Sequence, residues 1–130
     1  METYDLPALL RMVVECNASD LYLTTGAPPQ VKVDGTVQAL PLSALKVGQV
    51  HQLAYSAMTP QAIADFERTL ECNMAYSPQG IGRFRLNVYK QRRETGMVAR
   101  LVRSEIPTFE SLGLPPVVRE LAMKPRGLIL

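Results

Sequence analysis

The stretch "GRFRLNVYKQRRETGMVARLVR", residues 82–103, decides the fold. Phe84, Leu86 and Val88 fall on one face of an extended chain and Arg83, Arg85, Asn87, Tyr89 and Gln91 on the other, which is the period of a half-buried strand. Strand character breaks at "ETG" (94–96) and resumes in "MVARLVR" (97–103), so the stretch predicts a long hairpin with its apolar face packed and its arginine face outward. With the turn near Arg93 and Glu94, Tyr89 would oppose Val98 and Asn87 would oppose Arg100. Arg100 then sits on the arginine face, diagonal to Arg85 at roughly 7–8 Å. A one-residue slip would turn it toward the core instead.

Residues 83–103 hold seven cations, Arg83, Arg85, Lys90, Arg92, Arg93, Arg100 and Arg103, against the single acid Glu94. Half of the chain's 14 basic residues therefore lie in one hairpin, while the whole chain is only +2. That is a local concentration, which asks for an anion. Arginine in place of lysine favours multi-donor recognition of phosphate or carboxylate oxygens. Lys90, Arg92 and Arg93 also suit a plainer role, a solvated edge charged against sheet-to-sheet pairing.

Outward from the hairpin, Leu6, Leu9, Leu10, Val13 and Val14 repeat at helical spacing behind Asp5 as N-cap and Pro7 in the first turn, predicting a helix that ends near Asn17. "SDLYLTTG" and "APPQVKVDGTVQAL" alternate as short strands, and Asp34-Gly35 signals a hairpin. Two helices are expected over 44–70, the second opened by Thr59-Pro60, and a strand over "ECNMAYS". "SEIPTFESLGLPP" reads as an extended connection, "VVRELAM" as a short helix and "GLIL" as the opening of another strand. The order predicts an α+β fold, an antiparallel sheet with helices packed on one face. The closing "KPRGLIL" reads as a chain that stops partway into a buried strand.

A chain of 130 residues, 47% apolar and 20% charged, suits one globular domain able to hold a core unaided. Cys16 and Cys72 lack metal or redox spacing and read as small buried hydrophobes in a reducing compartment; no disulfide and no metal are expected. Glu2 and Asp5 stand where a signal peptide needs cations, and no apolar run approaches the ~20 residues of a membrane span, so a cytoplasmic protein is expected. "GIGR" (80–83) has no helix after it and reads as a turn into a strand. His51 has no paired carboxylate or nucleophile, Asp20, Glu67 and Glu71 form no obvious pair, and no G-x-S-x-G occurs. The chain alone does not look like an enzyme. A nucleic-acid sheet is disfavoured because "GRFRLNVY" departs from the RNP1 pattern and Phe84 faces inward.

The ordered segments "ASDLYLTTGAPPQVKVDG", "ECNMAYSPQGIGRFRLNVYKQR", "GMVARLVRSEIPTFESLGLP" and "KPRGLIL" resemble the bacterial type IV pilus retraction ATPases (PilT/PilU type, secretion-ATPase superfamily), closer to the PilU type, over essentially the whole chain. Tyr22 departs from the pattern, standing where many relatives have His. The resemblance implies a PAS-like N-terminal domain over 1–105, an interdomain linker and short helix over 106–124 with Pro107, Pro115 and Pro116 in the hinge, and the start of a truncated RecA-like ATPase core over 125–130. It implies a homo-hexameric motor that powers pilus retraction and twitching motility at the inner-membrane platform, working with its own RecA-like domain and neighbouring subunits, and with a paralogous retraction ATPase as a further partner. Arg85 and Arg100 would be arginine fingers toward ATP and Mg2+ in the full-length protein, with Arg83 a further nucleotide-phosphate contact. The parent would be a P-loop ATPase; this part, without G-x-x-x-x-G-K-[ST], holds no cofactor and is expected to be inactive alone. The alternative is a stand-alone assembly or anion-binding module without nucleotide chemistry.

Overall fold

The computed structural model describes residues 3–130. In chain order the elements are α1 (Leu6–Glu15), β1 (Asp20–Leu23), β2 (Gln30–Val33), β3 (Thr36–Ala39), α2 (Gln49–Ala57), α3 (Pro60–Thr69), β4 (Glu71–Tyr76), β5 (Arg83–Gln91), β6 (Glu94–Val102) and α4 (Val117–Ala122). The strands form one six-stranded antiparallel sheet in the order β3-β2-β1-β6-β5-β4, and the fold is α+β.

One face of the sheet supplies Leu21 and Leu23 from β1, Val31 from β2, Phe84, Leu86 and Val88 from β5, and Met97 and Ala99 from β6, all buried. Against them pack Leu6, Leu9, Leu10 and Val13 of α1, Val50, Leu53 and Ala54 of α2, and Phe66 of α3. Each large side chain so buried contributes roughly 1.5–3 kcal/mol, which is what holds the helices to this face. Local chemistry fixes the helix starts: Asp5 accepts from the Ala8 N–H and Thr59 from the Ala62 N–H, with proline in the first turn of both α1 and α3. Every buried hydrophobic among the described residues lies between Leu6 and Ala99.

Four expectations are corrected. The first helix of the 44–70 pair begins only at Gln49, because Gly48 sits at φ 85°, a left-handed conformation that cannot continue a right-handed helix backward. The 94–96 break is not a break: Glu94, Thr95 and Gly96 belong to β6, and the turn is Arg92-Arg93, both at positive φ (51° and 69°). Positive φ at both positions is the signature of a type I′ turn, whose twist matches that of the flanking strands, here adopted where neither residue is Asn or Gly. Cys16 is exposed at the end of α1, and Cys72 is half-buried. Residues 127–130 form no strand, and Leu128 and Ile129 are exposed; no strand among the described residues pairs with them.

Gly96 stays in the strand because Tyr89, its cross-strand partner, covers it; a Cβ there would meet the ring at 2.5 Å. Gly96→Ala should therefore push Tyr89 off its site and cost about 1–3 kcal/mol in urea unfolding. Tyr89→Ala should open that space, so that Gly96→Ala in its background costs less than in wild type. An equal cost in both backgrounds would contradict the packing described.

Candidate functional site: the open face of the sheet

With α1, α2 and α3 on one side, alternation sends the remaining side chains of β4, β5, β6 and β1 to a face that no helix covers. Across it runs a row set by strand register: Ala75 opposite Arg85, Arg85 opposite Arg100, Arg100 opposite Asp20 and Asp20 opposite Lys32. The expected register is thus off by two residues. Asn87 opposes Val98, and Arg100 lies directly across from Arg85 where a diagonal was expected. A two-residue shift keeps every side chain on its face, so the arginine face survives the correction. Arg83 lies on the same face, opposite Val102.

A shallow groove of about 700 Å³ runs along the β4–β5–β6 part of this face, lined by Arg83, Arg85, Arg100, Asn73, Asn87 and Val98 among others. The Asn87 amide donates to Asn73 Oδ1 at 2.7 Å, leaving further amide groups exposed beside the arginines. Of the other cations, Arg92 and Arg93 form the hairpin turn, and Lys90 is exposed two residues before it. Arg103 follows β6 and borders a separate depression with Ser104–Thr108. Pro107, Pro115 and Pro116 lie in the exposed segment between β6 and α4. His51 is placed away from the groove, with Nδ1 3.3 Å from the buried Thr95 hydroxyl and its ring against Tyr55.

Of the three acids that form no obvious pair in the sequence, Asp20, Glu67 and Glu71, the first two have side-chain partners. Glu67 accepts from the Tyr55 hydroxyl at 3.1 Å, and Asp20, only 3% exposed, accepts from Arg100 Nε at 3.0 Å. The Ser19 hydroxyl donates to the other Asp20 oxygen at 2.8 Å. Burial pushes the Asp20 carboxyl up, but the Ser19 and Arg100 hydrogen bonds and the charges of Arg100 and Lys32 outweigh it and hold the group below its ordinary value. Arg100 is in turn held more firmly protonated, first by that hydrogen bond and then by the Asp20 charge. Asp20 was invisible as a pair in sequence because its partner lies 80 residues away; its signal was the alternation that puts it on the Tyr22 face of β1. The donor set, guanidiniums and amides, suits oxyanion oxygens. No group of three or more His, Cys, Asp or Glu that could hold a metal ion occurs among the described residues.

No protein-family model matches the chain. The type IV pilus ATPase PilU of Pseudomonas aeruginosa is 42% identical over 122 residues, 94% of this chain and 32% of PilU. The type IV pilus retraction ATPase PilT of the same organism is 39% identical over 126 residues, 97% of this chain and 37% of PilT. A crystal structure of the pilus retraction motor PilT with bound ADP superposes with a TM-score of 0.78 at 34% identity, covering 93% of this chain and 36% of that one. The chain is homologous to the N-terminal region of PilT and PilU. It spans about a third of the length of the curated relatives it matches.

The Asp20 carboxylate has a folded-state pKa below its unfolded value near about 3.9. Its stabilising contribution is therefore complete above the unfolded value and is lost as pH falls through the folded one. Asp20→Asn should be less stable than wild type by about 1 kcal/mol in urea at pH 7. That gap should narrow below about pH 4, since only the wild-type acid titrates there. A gap that stays constant down to pH 2.5 would contradict the ionised pair.

Proposed function

We propose that this chain is the PAS-like N-terminal domain of a hexameric motor ATPase that powers type IV pilus retraction and hence twitching motility. Residues 1–105 would be that domain, 106–124 the linker with its hinge between Pro107 and Pro116, and 125–130 the entry to a RecA-like core. The reading is carried by one observation: in a chain homologous to the pilus retraction ATPases, Arg85 and Arg100 stand directly opposite each other on an uncovered sheet face. Like charges placed opposite one another cost stability, and an incoming anion repays that cost.

In this reading the groove faces the nucleotide at the cleft between this domain and a RecA-like core. Bound ATP supplies a triphosphate whose charge spreads over the γ-phosphate oxygens during transfer, with Mg2+ and the phosphate-cradling loop belonging to the core. Arg85 and Arg100 donate N–H groups to those oxygens as arginine fingers, and Arg83 adds a further phosphate contact. The chain by itself, without the G-x-x-x-x-G-K-[ST] loop, would not hydrolyse ATP. Closure around nucleotide would turn the domain about the Pro107–Pro116 segment, and around a ring of neighbouring subunits that rotation becomes work on the pilus base. The motor would work in the cytoplasm, peripheral to the inner-membrane platform and beside a paralogous retraction ATPase. No helix among the described residues is long and apolar enough to cross a membrane.

A second reading, an assembly or anion-binding module without nucleotide chemistry, is favoured by the Asp20 bond, which already engages one edge of the Arg100 guanidinium. Steady-state kinetics separate the two. In the complete ATPase, Arg85→Ala and Arg100→Ala should each lower kcat by roughly 10³-fold, the low end for an arginine finger, with KM for ATP changing far less. Unchanged kcat in both variants, with the ring lost, would establish the assembly reading instead.

A further inference from the structure

We propose that Asp20 is a positioning residue: it grips Arg100 through Nε so that the rest of the guanidinium is held ready for a phosphate group. The proposal rests on the reading that this face takes phosphate oxygens, and it assigns a role to an acid that would otherwise oppose anion binding.

The geometry divides the guanidinium in two. Its Nε–H donates to Asp20 Oδ1 at 3.0 Å. That is the one ion pair Arg100 makes among the described residues, so the four N–H groups on its two terminal nitrogens remain available. The Arg100 side chain is 70% exposed, whereas the Asp20 side chain is 5% exposed. The anchor is therefore rigid and the arm is open. Ser19 locks the anchor, its hydroxyl donating to Asp20 Oδ2 at 2.8 Å and lying 3.3 Å from the Lys32 carbonyl. Both carboxylate oxygens are thus committed, one to Ser19 and one to Arg100.

A free arginine on a strand has four side-chain torsions to fix when it takes a ligand, and that ordering weakens binding. A guanidinium already tethered at Nε has lost most of that freedom before the ligand arrives. Lysine could not substitute, because a single ammonium cannot hold an anchor along one edge and present two further nitrogens along others. Arg85, directly opposite, has no acidic partner among the described residues. The face therefore pairs one tethered arginine with one that makes no ion pair among the described residues.

Electrostatics alone and positioning predict opposite signs. Removing a carboxylate 3.0 Å from Arg100 raises the positive potential of the groove, so a spectator acid would, on removal, leave phosphate binding tighter or unchanged. If Asp20 positions Arg100, removal weakens binding despite the gained positive charge. The experiment is an NMR titration of the 130-residue chain with inorganic tripolyphosphate at low ionic strength and pH 7, following the arginine Nε–Hε signals. Asp20→Asn should weaken tripolyphosphate binding about five-fold, the cost of ordering one long side chain. It should add no further loss in an Arg100→Ala background. Ser19→Ala, which keeps the carboxylate but frees it, should shift binding in the same direction by less, and it decides the matter if Asp20→Asn does not fold. Binding that is unchanged or tighter in Asp20→Asn (or in Ser19→Ala, where that variant decides), or an equal loss with Arg100 already removed, overturns the positioning role while leaving the phosphate face intact. Tripolyphosphate binding indifferent to both Arg85→Ala and Arg100→Ala overturns the phosphate face itself, and the positioning role with it.

Discussion

The sheet is covered on one face only, and the rest of the molecule follows from that. Because α1, α2 and α3 all contribute to a core built on Phe84, Leu86, Val88, Met97 and Ala99, strict alternation delivers Arg83, Arg85, Asn87 and Arg100 to the opposite side. A register error of one residue in the β5–β6 hairpin would drive guanidiniums into that core, where an unpaired charge costs several kcal/mol. The hydrophobic side of the hairpin is therefore what guarantees the charged side. Burial energy, not any attraction among the arginines, sets where the arginines stand.

The charged row itself is not a stability device. Arg85 and Arg100 repel, which offsets the modest gain from the bond between Arg100 and the buried Asp20. What the row does provide is definition: one guanidinium tied along Nε to a buried, doubly bonded carboxylate, and one left free across a single strand spacing. Such an arrangement makes physical sense as a preformed place for a multiply charged oxyanion, whose arrival removes the repulsion and uses donors already in position.

Most of the fold was legible from local chemistry. Asp5 and Thr59 announced their helices, Asp34-Gly35 its hairpin, and the Phe84–Val88 alternation its strand. The errors came where tertiary context overrides local preference. Glu94-Thr95-Gly96 read as a break in the strand with the turn near Arg93-Glu94, yet Tyr89 covers Gly96 and the turn falls on two arginines with left-handed backbone. The first helix of the 44–70 pair was expected to begin at residue 44, but Gly48 prevents it from extending back that far. The arginine face was readable because a shift of two residues leaves faces unchanged. The Asp20–Arg100 pair was not, since nothing in either segment states that β1 and β6 are neighbours.

The most direct measurement is a crystal structure of the complete ATPase with a transition-state analogue of phosphoryl transfer bound. Guanidinium nitrogens of Arg85 and Arg100 should lie within about 3 Å of the analogue's equatorial oxygens, with Asp20 still bonded to Arg100 Nε. Both arginines turned away from the nucleotide, or engaged only with acidic groups of a neighbouring subunit, would contradict the phosphate-binding face.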